Sequence, residues 1–473
     1  MSQGDQCADI SANPYSGNSE RSYQIVARHG EGRGTTAERR NRKRHIKCLI
    51  RRWYKKHRKQ LPLYKRLRGI SKPVLMSQYR PNHIADILVS DRKRNWKPIS
   101  RRKRQEITIT LKNLSFIDNP RQTMQMLRTL AQSESEYLSV RVNFDDVSVA
   151  DLGAYVVLGE LWQNLSPVFS GGRIHPAVQK VIDAVALRKY LHMAPFTYKQ
   201  RATGMWALPM RRRHSVGEEM TIDRQLGPQK REKVADEFCD WIDECLGVPE
   251  INQQLTQDGK AWVANLIGEL LDNAERHSGS TTGDGVWSVA GFMSQTHNGE
   301  APGFMLSVAI LSLGQCISDS LRSAADAVQD RMNKYAEQHK KSGCGGGTLR
   351  TVVALQDYVT RVKEASEDER GGIGFQEVFD FAHELGQNSV DSKMPRITLI
   401  SGRACVHVAH PFVKGERTEG DGRPRELWFN AENTPSNAPE SSHVYDLGEE
   451  FPGTLITIRI NLDPTVLRAG INE

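Results

Sequence analysis

Ala261-Trp-Val-Ala-Asn-Leu-Ile-Gly-Glu-Leu-Leu-Asp-Asn-Ala-Glu-Arg-His-Ser-Gly279 is the stretch around which the rest of this chain is read. Its apolar residues Val263, Leu266, Ile267, Leu270 and Ala274 recur at helical spacing, so one stripe of a helix packs on a core. Glu269 and Asn273 stand four apart on a neighbouring face, where a carboxylate and a carboxamide emerge side by side. Gly279 marks the expected stop, because glycine takes the left-handed cap conformation at least cost. The plainer alternative makes Glu269, Asp272 and Arg276 a solvated surface with an ion pair along the helix.

A chain of 473 residues is too long for one ordinary core, and 38% hydrophobic content suffices for two or more domains. The seven cysteines form no CxxC pair and no Cys/His cluster at zinc spacing, so neither a disulfide framework nor a structural metal site is indicated, which fits a reducing cytoplasm. The beginning of the chain shows no signal-peptide pattern. Phe304 to Ile317, the most apolar run, is shorter than the roughly 20 residues of a spanning helix, so no membrane span is expected. The net charge of +9 is uneven, with much of the positive charge in the first hundred or so residues.

Residues 1–36 are polar and lack apolar periodicity, which predicts disorder. Residues 37–105 read as a basic helical arm, in which Arg51, Arg52, Lys55, Lys56 and Arg58 offer phosphate partners and Trp53 a stacking face. A nucleic acid is the partner this pattern favours; an anionic membrane surface, an acidic protein, or packing on the chain itself are the alternatives. Arg92-Lys93-Arg94 and Arg101-Arg102-Lys103-Arg104 add a second basic cluster.

Residues 106–195 alternate strand and helix patterns: Ile107–Leu111, Arg121–Ala131, Tyr137–Phe144, Leu152–Leu165 and Val178–Leu187. This order resembles the small sulfate-transporter/anti-sigma-antagonist (STAS) domains. In that family the strand-to-helix turn carries an aspartate, two hydroxyl residues and a glycine. Here Asp151 is followed by Leu152 and Gly153, so the phosphoacceptor hydroxyl is missing and the resemblance implies a binding or oligomerising module. Residues 196–229 read as a connector, and Lys230–Leu246 as a further amphipathic helix.

From there to residue 465 the order is distinctive: the Ala261–His277 helix, strands Gly285–Met293 and Phe304–Leu311, and a turn at Ser312–Ile317. A helix at Ser318–Gln329, a glycine run Gly343–Gly347, a glycine turn Gly371–Gly374, a helix Phe375–Leu385, an Ile397–Val408 hairpin and a final strand Phe451–Ile460 follow. It resembles the ATP-binding domain shared by gyrases, heat-shock chaperones, histidine kinases and mismatch-repair ATPases, the GHKL superfamily. Glu269-Leu-Leu-Asp-Asn-Ala274 looks like that family's N box and Arg370-Gly-Gly-Ile-Gly-Phe375 like its second glycine box.

The resemblance implies an α+β sandwich, a mixed sheet covered by helices on one face, with ATP and Mg2+ as cofactors. Asn273 would supply a carbonyl oxygen to the metal, a hard cation that keeps several waters and takes its other oxygens from phosphates. Glu269 would orient or deprotonate the attacking group. Asp272, Gly314, Gly371, Gly372 and Gly374 complete the implied nucleotide site, since small residues at a helix start let backbone N–H groups reach phosphates. Ser312 departs from the family, which has an aspartate there for the adenine amine; a hydroxyl bonds it more weakly. Gly343–Gly347 falls where the lid of the site would lie, with a plain linker as the alternative.

The expectation is therefore a cytoplasmic regulatory protein whose Mg-ATP binding switches a protein partner or a homodimer. Slow ATP hydrolysis or serine/threonine phosphotransfer would be secondary. The alternative is a nucleic-acid-binding or scaffold protein on a degenerate nucleotide fold, which Ser312 favours.

Overall fold

The computed structural model describes residues 8–10, 79–98, 101–102, 104–191, 193, 204–213, 230–277, 286–296, 303–357, 359, 374–386, 395–417, 424–462 and 464. The chain is a mixed α and β structure built on two principal sheets.

The first sheet is β1 (Ala8–Ile10), β2 (Arg104–Leu111), β3 (Tyr137–Phe144) and β4 (Phe169–Ile174), in the order β1-β4-β3-β2. The β2/β3 and β3/β4 pairs are parallel, as crossover helices require; β1 closes the edge antiparallel to β4. Ala8–Ile10 thus corrects the expectation of disorder for its three residues, because backbone pairing to Gly172–Ile174 needs no apolar periodicity of its own. Two short helices, α1 (His83–Leu88) and α2 (Arg92–Asn95), precede β2.

They correct the extent of the basic arm. Ile84, Ala85 and Leu88 lie in the core, and Arg92 is fully buried between Asp86 and Glu134 at 2.5 and 2.9 Å. Arg102 is also buried, donating to the carbonyls of Lys97 and Tyr137. Charge alone cannot distinguish such structural guanidiniums from a phosphate-binding stripe. Arg51, Arg52, Trp53, Lys55, Lys56 and Arg58 lie outside the described residues.

The crossover helices are α3 (Pro120–Glu136), α4 (Gly153–Leu165) and α5 (Pro176–Ala184). Proline at the first position of α3 and α5 starts each helix where its missing N–H costs nothing. Helix α4 is apolar around its circumference, with Ala154, Val156, Val157, Leu158, Leu161 and Trp162 all buried. Such a helix must be covered on every side.

What covers it is the second sheet, in the order β5-β6-β7-β11-β8: β5 (Met205–Arg213), β6 (Val286–Thr296), β7 (Gly303–Leu313), β8 (Arg396–Val408) and β11 (Val444–Leu462). A two-stranded ribbon, β9 (Glu416–Arg417) with β10 (Arg425–Glu426), lies between β8 and β11 in sequence. Three earlier expectations change here. Residues 205–213 are an edge strand paired to β6 and not a connector. Residues 396–408 form one strand instead of a hairpin.

The third change concerns the sheet itself, which is antiparallel at every pairing instead of mixed. Only six residues join β6 to β7, a reversal short enough for a hairpin and too short for a parallel crossover. Nor are helices confined to one face. Phe304, Leu306, Val308 and Ile310 of β7 join one core, and the alternating Ala309, Leu311 and Leu313 join the core of the first sheet. A strand buried on both faces reads as a continuous apolar run, which is what residues 304–311 are.

The outer face is covered by α6 (Arg231–Leu246), α7 (Gln257–His277), α8 (Ile317–Ser320), α9 (Asp326–Gln338), α10 (Gly346–Ala354) and α11 (Gly374–Gly386). The closeness of α6 to the sheet depends on Gly291, where a Cβ would stand 2.4 Å from the Trp241 ring.

Candidate functional site

Helix α7 buries Val263, Leu266, Ile267, Leu270, Leu271 and Ala274 against the outer core. Its uncovered face carries Asn265, Glu269 and Asn273. Among the described residues, neither Glu269 nor Asn273 has a hydrogen-bond or ion-pair partner. Partial desolvation of its carboxyl, and then the charge of Glu377, push Glu269 above the ordinary carboxylate range.

Glu377 lies on α11 and is firmly held. One oxygen accepts the Trp262 indole N–H, and the other accepts Arg425 Nη2 at 2.9 Å. Arg425 also pairs with Asp357 at 2.9 Å and with Asp380, so one guanidinium gathers α11, β10 and the end of α10. Trp262 and Phe381, ring centres 6.0 Å apart, complete the seam between α7 and α11. Nothing in the sequence spacing links Trp262, Glu377 and Arg425; only the fold brings them together.

Asp272, expected in the nucleotide site, is engaged within the chain. It pairs with Arg231 of α6 and, at 2.6 Å, with Arg276, on the flank of α7 facing α6. One step around a helix moves a side chain about 100°, enough to separate it from Asn273. Glu275 on the same flank accepts the Trp287 indole at 2.9 Å and Arg213 at 3.0 Å.

Ser312 is the penultimate residue of β7, opposite Trp287 on β6 and Thr454 on β11. Strand alternation puts it on the side of Ile310, facing the outer helices. Because Trp287 follows closely on α7, that strand end lies near the Asn273 end of the helix. Gly314 then turns with φ 140°, and Cys316 caps α8. Gly453 allows β11 to approach: a Cβ there would meet the Ser312 carbonyl oxygen at 2.1 Å. Gly374 is the first residue of α11, while Gly371 and Gly372 lie outside the described residues.

The Gly343–Gly347 run is not an open loop throughout. Gly345 caps α10, its N–H donating to Asp446 Oδ2 at 2.8 Å, and the Thr348 hydroxyl donates to the same carboxylate. These glycines open a helix pinned to β11 instead of a flexible loop, which corrects the lid expectation for Gly346 and Gly347. A cavity of about 370 Å3 lies between α8, α9 and α10, lined in part by Ser318, Arg322, Asn333 and Arg350, and includes neither Glu269 nor Asn273.

No family model, curated protein or solved structure matches the chain. Among the described residues, no group of three or more His, Cys, Asp or Glu side chains is arranged to hold a metal, and no helix is long and apolar enough to cross a membrane. A magnesium ion on α7 would therefore have Asn273 as its protein ligand and draw its remaining oxygens from phosphates and water. A carboxamide with no partner among the described residues fits that need.

Proposed function

We propose that the chain is an ATP-binding regulatory protein of the histidine-kinase-like ATPase type, using Mg-ATP to switch a partner interaction. The observation that carries this is the pair Glu269 and Asn273, without partners among the described residues, while the polar side chains on the α6 flank of α7 are engaged. Asn273 would hold the metal, Ser312 would meet the adenine amine, and the start of α11 at Gly374 would direct N–H groups toward phosphate. Bound Mg-ATP supplies a transferable phosphoryl group and the cation that screens its charge.

Glu269 would accept a proton from, or orient, the attacking water or hydroxyl, and its raised proton affinity suits a general base working nearer neutrality. Glu269→Gln is expected to retain binding of a non-hydrolysable ATP analogue in calorimetry and to lose turnover by 10²-fold or more, on the order of a general base's contribution. Equal turnover in both proteins removes Glu269 from the mechanism. A scaffold on a degenerate nucleotide fold is the second reading, favoured by Ser312 in place of a carboxylate. It predicts no analogue binding at all.

A further inference from the structure

We infer that the segment joining α1 to β2 presents a binding surface for the phosphate backbone of duplex nucleic acid, carried by Lys93, Arg94, Lys97 and Arg101. The structure sorts the cations of this segment into two groups. Arg92 and Arg102 turn inward: Arg92 meets Asp86 and Glu134, and Arg102 donates to the carbonyls of Lys97 and Tyr137 at 2.8 and 2.6 Å. Lys93, Arg94, Lys97 and Arg101 are exposed, and their side chains have no hydrogen-bond or ion-pair partner among the described residues. Asp91 is the one acid among the exposed side chains of residues 91–98 and 101.

Other exposed cations of this molecule are cancelled in place: Arg128 by Glu449, Arg173 by Asp145, Lys260 by Asp243 and Lys340 by Glu337. Here four stand uncancelled within nine positions, a density of like charge that attracts a polyanion. The backbone beneath them is already fixed. Arg92 ties it to α3 through Glu134, the Trp96 indole donates to the same carboxylate at 3.3 Å, and Arg102 ties it to the start of β3. Binding there has little chain to order. The surroundings also select among polyanions. A segment lying on a membrane needs an apolar face to insert. Ile84, Ala85 and Leu88 of α1 are in the core instead, and the one exposed large hydrophobic side chain among the described residues is Val147, beyond β3. A single strand needs free aromatic faces for its bases. The Trp96 ring is instead met edge-on by Tyr79, ring centres 6.2 Å apart, and covered by the Arg102 guanidinium at 5.7 Å. Charge without insertion or stacking fits the regular phosphates of a duplex and reads no base sequence. This surface does not depend on the nucleotide reading of α7.

The test is fluorescence anisotropy of the full chain with a labelled random-sequence DNA duplex at several salt concentrations. The wild type is compared with a variant carrying Lys93→Gln, Arg94→Gln, Lys97→Gln and Arg101→Gln. A control carrying Arg128→Gln, Arg173→Gln, Lys260→Gln and Lys340→Gln makes the same change of net charge at paired cations. Each phosphate contact contributes about 0.9 to the slope of log affinity against log salt, so the slope is expected to shrink by roughly 3 to 4 in the first variant and to hold in the control. The first variant replaces exposed side chains that have no partner among the described residues, so its urea midpoint is expected to match the wild type and to show that the change is local. No duplex binding by the wild type, an unchanged slope in the first variant, or an equal change in the control overturns the proposal. Parallel titrations with a labelled single strand and with phosphatidylserine vesicles test the choice of partner. Binding of either that falls in the first variant while duplex binding does not fall assigns the surface to that partner and overturns the duplex.

Discussion

The inner face of the five-stranded sheet and the Glu269/Asn273 face of α7 treat their polar groups in opposite ways. On the inner face, shared with the first sheet, charged side chains are bolted in place. Glu160 of α4 pairs with Arg212 of β5 at 2.6 Å, both nearly inaccessible, and accepts the Ser288 hydroxyl at 2.9 Å. Asp151 is wholly buried and accepts from the backbone N–H groups of Phe116, Ile117 and Gly153, and from the Thr457 hydroxyl at 2.5 Å. Asp118 receives both Nη groups of Arg459, at 2.8 and 2.9 Å. On the outer face Glu269 and Asn273 sit on a rigid helix with nothing engaging them among the described residues. Polar groups that hold a fold are satisfied within it, whereas groups that serve a ligand are left available.

The largest effect that would break this contrast is on the inner face. Glu160→Ala leaves the Arg212 guanidinium buried without its carboxylate, and removing one member of such a pair costs about 3–5 kcal/mol. Urea unfolding should show that loss; a change below about 1 kcal/mol would mean the inner face is looser than its packing implies.

A smaller effect is expected at Asp118, with a definite pH dependence. Burial works against ionisation there, but the hydrogen bonds and charge of Arg459 outweigh it and hold the carboxyl below its usual range. A depressed carboxylate contributes stability that is present above the unfolded-state value, about 4, and is lost as pH falls through the folded one. Asp118→Asn should therefore cost on the order of 1 kcal/mol at neutral pH, after allowance for solvent screening of a partly exposed pair. The two proteins should converge in thermal denaturation once pH has fallen through the depressed folded-state value of Asp118. A difference that persists there would assign the contribution to packing.

Much of this arrangement was legible in the sequence because its signals are local. Helical spacing along Val263 to Ala274 located α7, strand alternation located β3 at Tyr137–Phe144, and the apolar run of β7 marked a buried strand. The Glu269/Asn273 pair was readable because both residues share one helix face. What escaped reading depends on distant residues meeting. The Arg231 to Asp272 pair spans 41 positions, and Glu377 to Arg425 spans 48, so neither leaves a periodic trace. Arg92 looked like one more surface cation, because burial of a charge is decided by Asp86 and Glu134 and not by its neighbours in sequence. The strand at Met205–Arg213 was hidden by its arginines, of which Arg212 points inward to Glu160 and Arg213 outward to Glu275.

The smallest stability effect carries the most weight for function. Asn273→Ala removes a side chain with no partner among the described residues, so its unfolding midpoint should match the wild type within about 0.5 kcal/mol. Calorimetry of the same two proteins with magnesium and a non-hydrolysable ATP analogue measures the central claim directly. The wild type is expected to bind and Asn273→Ala to bind at least tenfold more weakly, a difference of about 1.4 kcal/mol. Equal affinity in the two proteins, or no binding by either, would contradict the assignment of α7 as a magnesium-nucleotide site.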